Sequence, residues 1–262
     1  MKFVTTQLRG RLGNQMFQIG ALYTYAKRHH YRPVLRNSTH DYPVVFRRVN
    51  FDNDIATSNY KVLEHNHFGY SEIPVDDSDE SINIHGHYCY FQHENYLDKD
   101  LTKDLFAIPE TLRESLTNKY PDIDTRCSIH IRRGDYARRR RGGKRIWPTH
   151  AVDYLNKARS YVHSSNFLVS SDDIPWCKRH LPNDMNILYV DEAPEASMYA
   201  MSLCEHHIIS NSSFSWWSAY LNSNENKTVI APKQWFLKDN PVVLSRQANI
   251  YSNIPCEDWI RI

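Results

Sequence analysis

Cysteine is scarce and unpatterned in this chain. The 262 residues hold five, Cys89, Cys127, Cys177, Cys204 and Cys256. The number is odd and no C-x-x-C pair occurs, which excludes a disulfide framework and a zinc-ribbon spacing. Buried free thiols in a reducing compartment are expected. No run approaches the roughly 18 consecutive apolar residues of a transmembrane helix, so no integral membrane segment is expected. The opening MKFVTTQLRGRLGNQ has neither the apolar core nor the cleavage site of a signal peptide, which points to a cytoplasmic location. Excess charge of either sign is also missing, since 32 Lys+Arg stand against 30 Asp+Glu for a net +2. Such a chain exerts no global pull on nucleic acid or acidic membrane, so no nucleic-acid partner is expected, and an anion must be met by a local basic cluster. Repeats and low-complexity linkers are absent, and no feature sets an oligomeric state.

What remains is an ordinary globular composition. With 41% hydrophobic residues and only 8 glycines, disorder and collagen are excluded. The length suits one large domain or two of ordinary size. Lys2 to Leu8 reads as a strand, Arg9-Gly10-Arg11-Leu12-Gly13 as a turn, and Met16, Ile19, Gly20, Tyr23 and Ala26 recur at helical spacing. Pro33 ends that helix near His29-His30, and Val34-Leu35 starts a second strand. The stretch from Asn37 to Glu80 reads as loops and short elements, followed by a strand at Ile82 to His85.

Beyond a helical stretch from Pro109 to Asn118 the alternation sharpens. Strands are expected at Ser128 to Ile131, Phe167 to Ser170, Asn186 to Val190, His207 to Ser210 and Thr228 to Ala231. Helices are expected at Ala151 to Val162, around Trp176 to His180, from Glu195 to Cys204 and from Phe214. This is a doubly wound α/β pattern, in which ligands bind beyond the carboxyl ends of the strands. The strand pattern places a domain boundary between residues 125 and 126.

Three segments fall where a strand feeds a helix. In Gly10-Arg11-Leu12-Gly13-Asn14-Gln15 the glycines permit close backbone approach and the helix N-terminus favours an anion; the plainer reading is a turn needing positive φ. The G-x-x-x-x-G-K-[ST] pattern of a P-loop is lacking. In His130-Ile131-Arg132-Arg133-Gly134-Asp135-Tyr136 paired guanidiniums at a strand end suit phosphate oxygens, against the plainer reading that Arg132 or Arg133 pairs with Asp135. In Ser210-Asn211-Ser212-Ser213-Phe214-Ser215-Trp216-Trp217 hydroxyls and amides face an anion or nucleotide, unless the serines only cap the helix and the tryptophans only pack. Three such segments at equivalent positions point to a phosphate-bearing ligand.

In these segments the sequence resembles glycosyltransferase family 11, the alpha-1,2-fucosyltransferases, through RLGNQMFQ (11–18), HIRRGDY (130–136), SSDD (170–173), CEHHIISNSSFSWWSAYLN (204–222) and VIAPKQWF (229–236). The resemblance implies an α/β, GT-B architecture of two Rossmann-like domains facing a central cleft, here 1–125 on the acceptor side and 126–262 for the nucleotide sugar. It implies a GDP-fucose donor, a glycan acceptor, inversion at the anomeric carbon, and no metal or other cofactor. By position, Arg132 matches the arginine that stabilises the leaving diphosphate and His130 a residue near guanine. Arg11 and Asn14 match residues at the donor–acceptor junction. Asn211, Ser212, Ser213 and Phe214 match the loop touching phosphate and nucleotide. Asp135 is the nearest motif carboxylate; its arginine neighbours make it an orienter, and the catalytic base stays unassigned.

Two departures stand out. Relatives carry an aspartate where this chain has Ser197, at the position that faces guanine; a serine lacks a carboxylate's bidentate acceptor, and Glu195 is the nearest substitute. The run from Arg138 to Arg145 is unusually basic and reads as a solvated loop. Asp77-Ser78-Asp79 matches a D-x-D metal pattern, a triplet that an acidic loop produces easily, and His85, His87 and Cys89 alternate on one strand face with no fourth ligand at regular spacing, so no metal is expected at either.

Overall fold

The computed structural model describes residues 2–36, 42–52, 60–65, 70–76, 78, 80–86, 91–138, 140–141, 144–145, 152–237 and 254–262. They form two compact units, Met1–Ala107 and Ile108–Ile262. The division falls earlier than the boundary expected at 125/126. In the second unit the helix at Glu110–Lys119 packs against the helix at Pro194–Ser202, and the next residue, Tyr120, donates its hydroxyl to Glu192 at 3.1 Å.

The first unit comprises β1 (Phe3–Thr5), α1 (Leu12–His29), β2 (Arg32–Pro33), β3 (Tyr60–Glu64), β4 (Ser81–His85) and α2 (Lys99–Leu105). Its sheet has the order β2-β1-β4-β3, with every pairing parallel. Helix α1 is buried nearly all round, with Leu12, Met16, Phe17, Ile19, Leu22 and Tyr25 among its buried side chains. Each large apolar side chain so buried contributes about 1.5–3 kcal/mol before the entropy of ordering is charged. The helix ends where His30 turns left-handed at φ 57° and the Tyr31 amide returns to the Ala26 carbonyl at 3.0 Å. The second strand lies at Arg32–Pro33, just before the expected Val34-Leu35. Arg32 and Val34 donate to Lys2 and Val4, so the missing N–H of Pro33 falls on the open side of this edge strand.

The second unit contains α3 (Glu110–Lys119), β5 (Cys127–Ile131), α4 (Gly134–Arg138), β6 (Arg140–Arg141), β7 (Lys144–Arg145), α5 (Val152–Arg159), β8 (Asn166–Ser171), α6 (Ile174–His180), β9 (Asn186–Tyr189), α7 (Pro194–Ser202), β10 (His206–Ile208), α8 (Ser213–Leu221), β11 (Val229–Ala231) and β12 (Ile260–Arg261). Six strands pair in parallel in the order β12-β11-β10-β5-β8-β9. Numbered along the chain this is the 3-2-1-4-5-6 arrangement of the Rossmann fold, and its direction reverses between β5 and β10. The expected solvated basic loop is instead α4 followed by an antiparallel ribbon, β6–β7, pairing Arg140 with Arg145 and Arg141 with Lys144.

Under the sheet, Cys127, Ile129, Phe167, Val169, Ile208 and Ile230 build the core. Buried polar groups are paired across strands: the ring of His207 meets Ser128 Oγ at 2.7 Å through Nδ1 and Asn222 Nδ2 at 2.7 Å through Nε2. Burial drives the pKa of His207 down to about 3, so the ring is neutral. The described cysteines Cys127, Cys177, Cys204 and Cys256 are buried free thiols; Cys89 lies outside the described residues.

Candidate active site

Reversal of strand order opens a crevice between the carboxyl ends of β5 and β10, and the second and third sequence motifs meet there. His130, the fourth residue of β5, joins Ser210 Oγ at 2.8 Å through Nδ1. Its ring centroid lies 5.2 Å from that of Phe214 on α8. Burial first, and the Arg132 charge second, push the His130 pKa down to about 3, so it meets a ligand as a neutral imidazole. Tyr136 on α4 donates to the Asn211 carbonyl at 3.1 Å, tying the two motifs a second time. A cavity of about 20 Å³, room for about one water, sits among His130, Arg132, Tyr154, Trp176 and Ser210.

Arg132 leaves β5 into this crevice with 16% of its side chain exposed. One terminal nitrogen pairs with Asp135 at 2.6 Å and the other with Asp172 at 2.8 Å. Among the described residues its Nε has no partner. Arg133 does not join it as a second phosphate fork: its guanidinium lies 3.9 Å above the Trp176 ring and pairs with Asp173 at 3.3 Å. Asp173 in turn caps α6 by accepting from the Trp176 amide at 3.1 Å. Arg132 and Arg133 therefore face Asp135, Asp172 and Asp173, a formal excess of one negative charge. A diphosphate must approach Arg132 through Nε or replace a carboxylate on it, with help from neutral donors.

Those donors lie at the start of α8. Ser212 occupies the N-cap position, yet its side chain makes no capping hydrogen bond, so the plain-cap reading of this buried serine is not realised. The N-terminus of α8 is the positive end of that helix, which favours an anion. Asn211 donates Nδ2 to the Trp235 carbonyl at 2.9 Å, while its buried Oδ1 has no partner among the described residues. Trp216 and Trp217 are core: both are fully buried, and Trp216 donates to the Ile254 carbonyl at 2.8 Å.

Ser197 is buried near the start of α7. Its hydroxyl goes to the Glu192 carbonyl at 3.0 Å, inside the turn that opens α7. Glu195, buried in the first turn of α7, places a carboxylate at the positive end of the helix.

In the first unit, the glycine connection after β1 is tightly determined. Gly10 has φ 82°, and a Cβ there would come within 2.7 Å of Asn14 Nδ2. Asn14 is fixed from the other side by Gln92, whose Nε2 donates to Asn14 Oδ1 at 2.6 Å. Gln18 holds both the amide and the carbonyl of Arg9, at 3.0 and 2.8 Å. Arg11 is the exposed N-cap of α1. The positioning roles of Gln18 and Gln92 escaped sequence reasoning; for Gln18 the i, i+4 spacing from Asn14 was an available signal. Of the metal patterns, Asp77, Asp79, His87 and Cys89 lie outside the described residues, and His85 pairs through Nδ1 with Glu64 at 3.0 Å.

Comparison with known proteins resolves the family. The pattern of glycosyl transferase family 11 matches residues 1–253. The chain belongs to glycosyltransferase family 11. Within it, the chain is 31% identical to the O-antigen biosynthesis glycosyltransferase WbnK of Escherichia coli, over 67% of this chain and 61% of that protein. An alpha-1,2-colitosyltransferase of Escherichia coli is 27% identical and is matched nearly end to end, 100% of this chain and 99% of that protein. A galactoside 2-alpha-L-fucosyltransferase of Bos taurus is 24% identical over 83% of this chain and 64% of its own length. Among solved structures, the NodZ alpha-1,6-fucosyltransferase soaked with GDP-fucose superposes with a TM-score of 0.54 at 12% identity, covering 84% of this chain and 92% of that one. The likeness shows the fold: this family 11 chain is an α/β protein of Rossmann-like units, the GT-B class that the sequence implies. Among the described residues no helix is long and apolar enough to cross a membrane.

Proposed function

We propose that this family 11 glycosyltransferase moves L-fucose from GDP-β-L-fucose to the 2-hydroxyl of a terminal sugar, galactose in the first instance, with inversion and without a metal. The observation that carries the reading is Arg132 at the strand-order reversal of a Rossmann-like sheet, where the N-terminus of α8 and the Ser212 hydroxyl also lie. The acceptor hydroxyl oxygen bonds to the anomeric carbon and releases its proton as the bond from that carbon to the phosphate oxygen breaks, and the electron pair leaves with GDP. Negative charge then grows on the departing phosphate, where a guanidinium and helix N-terminal amides stabilise it most. Neutral His130 and the ring of Phe214 serve the nucleoside. Asn211, Ser212 and Ser213 line the phosphate loop, and Arg11 and Asn14 serve the acceptor side. Asp135 holds Arg132 before the donor arrives, and Ser197, whose hydroxyl is bonded to the Glu192 carbonyl, stands at the base-facing position.

A second reading changes the sugar and keeps GDP as carrier. It is favoured by the near end-to-end match to a colitosyltransferase. Both are tested by incubating the protein with GDP-fucose or GDP-colitose and a panel of galactosides in the presence of EDTA, with linkage determined by NMR. An α-1,2-linked fucosylated product is expected; transfer of colitose alone selects the second reading, and absence of both transfer and donor hydrolysis refutes the two together.

A further inference from the structure

We propose that Asp172 is a positioning residue for Arg132, and that position 134 is glycine because the Asp172 carboxylate occupies the space a side chain would need. The proposal rests on the reading of Arg132 as the group that stabilises the leaving diphosphate.

Asp172 stands at the end of β8, the strand next to β5, and its place is set by the sheet. Ile131 pairs with Ser171 in the β5–β8 ladder, and Ser171 Oγ donates to the Ile131 carbonyl at 2.8 Å. From there the carboxylate bridges two parts of the neighbouring connection. Oδ1 accepts from the Arg133 backbone amide at 2.8 Å, and Oδ2 meets a terminal nitrogen of Arg132 at 2.8 Å. One carboxylate thus fixes both the backbone that follows β5 and the guanidinium that projects from it. The third contact is steric. A Cβ on Gly134 would lie 2.5 Å from Asp172 Oδ2 and 3.1 Å from its Cγ, well inside van der Waals contact. Gly134 has no left-handed φ, so backbone conformation does not call for glycine here; the carboxylate does.

The second carboxylate on Arg132 differs in kind. Asp135 lies on α4, within the same connection, three residues from its partner, and is more exposed than Asp172, 34% against 25%. A diphosphate arriving at Arg132 replaces Asp135, while Asp172, anchored by an adjacent strand and a backbone amide, stays. The arginine therefore keeps its aim when its occupant changes, and a misplacement of about 1 Å costs about 100-fold in rate.

The test uses the full chain carrying Asp172→Asn, Gly134→Ala, or both, with Asp184→Asn as a distant control. GDP affinity is read by calorimetry, kcat and donor KM by transfer, and fold by thermal unfolding. Asparagine keeps an acceptor for the Arg133 amide and removes a negative charge beside the anion, so Asp172→Asn is expected to bind GDP at least as tightly as wild type while kcat falls about 100-fold. A part that merely held the loop would instead lose stability and affinity together. Gly134→Ala is expected to lower kcat in the same way, and the double variant to be no worse than the stronger single one, because both act through one contact. An unchanged kcat in Asp172→Asn, or losses that multiply in the double variant, overturns the proposal while leaving the transferase reading intact. Should Asp172→Asn fail to fold, Gly134→Ala decides alone. Wild-type protein that transfers no sugar overturns the underlying reading and this proposal with it.

Discussion

The two glycine connections look alike in the sequence and solve different problems. After β1, Gly10 adopts φ 82° and packs against Asn14 of the helix it introduces. After β5, Gly134 has ordinary backbone and packs against Asp172 from the neighbouring strand. The first glycine is demanded by the local chain, the second by a side chain from 38 positions further along, as 172 minus 134 shows. A turn of the first kind carries its reason in the adjacent residues. One of the second kind acquires its reason only when the sheet closes.

The largest effect that tests this contrast is on the chemistry. Arg132→Ala should lower kcat about 1000-fold, the upper range for losing one charge-stabilising donor. Unfolding temperature should be nearly unchanged, since the residue forms no part of the core. Retained turnover would detach the β5 connection from catalysis.

Beneath that connection the buried histidines hold β5 to β10, and they predict a pH signature. His130 and His207 both have folded-state values near 3 against an ordinary 6.5. Between those values the unfolded chain binds protons that the folded chain refuses. Their contribution is complete above pH 6.5 and is lost as pH falls, by up to about 1.4 kcal/mol per unit for each ring. The shifted carboxylates Asp76, Asp98 and Asp184 lie below the ordinary 3.8 and respond only at lower pH. Urea unfolding from pH 7 to pH 4.5 should show this slope, and His207→Leu should reduce it by about half. The same substitution should cost about 2–3 kcal/mol at pH 7, because Ser128 and Asn222 each lose a buried partner.

The glycines can be separated directly. Gly10→Ala places an L side chain at positive φ and should destabilise the protein by about 1–2 kcal/mol in denaturant. Gly134→Ala should change stability by less than about 1 kcal/mol, since only a side-chain end must move, and should act on kcat instead. Equal stability losses would erase the distinction. The smallest effect belongs to the exposed Arg159–Asp184 pair at 3.0 Å; Asp184→Asn should alter stability by no more than about 0.5 kcal/mol.

What could be read from the sequence follows the same division. Helices α1 and α8 announce themselves because their apolar residues recur at helical spacing, and β5 and β8 because buried parallel strands are short apolar runs. Strand β3 escaped because it is an edge strand whose Lys61, Val62 and Glu64 are exposed, so its residues show no buried alternation. The ribbon β6–β7 escaped because a run of like charges has no periodicity at all. Helix α2 was legible but unread: Asp98 accepts from the Leu101 amide at 3.0 Å in an ordinary N-cap. At the site, His130 and Arg132 were legible as strand-end residues. The failure of Arg133 to join Arg132 was not, because Trp176 and Asp173 reach it only through the β5–β8 register.

The central claim is that the crevice at the reversal of the second sheet holds guanosine diphosphate through Arg132. Calorimetry of GDP, with UDP and ADP alongside, against wild type and Arg132→Ala tests it most directly. The account predicts that GDP binds the wild type in preference to the other two, and that Arg132→Ala weakens binding at least about 10-fold, as loss of a charge-assisted contact requires. GDP that binds both proteins equally, or neither, would contradict it.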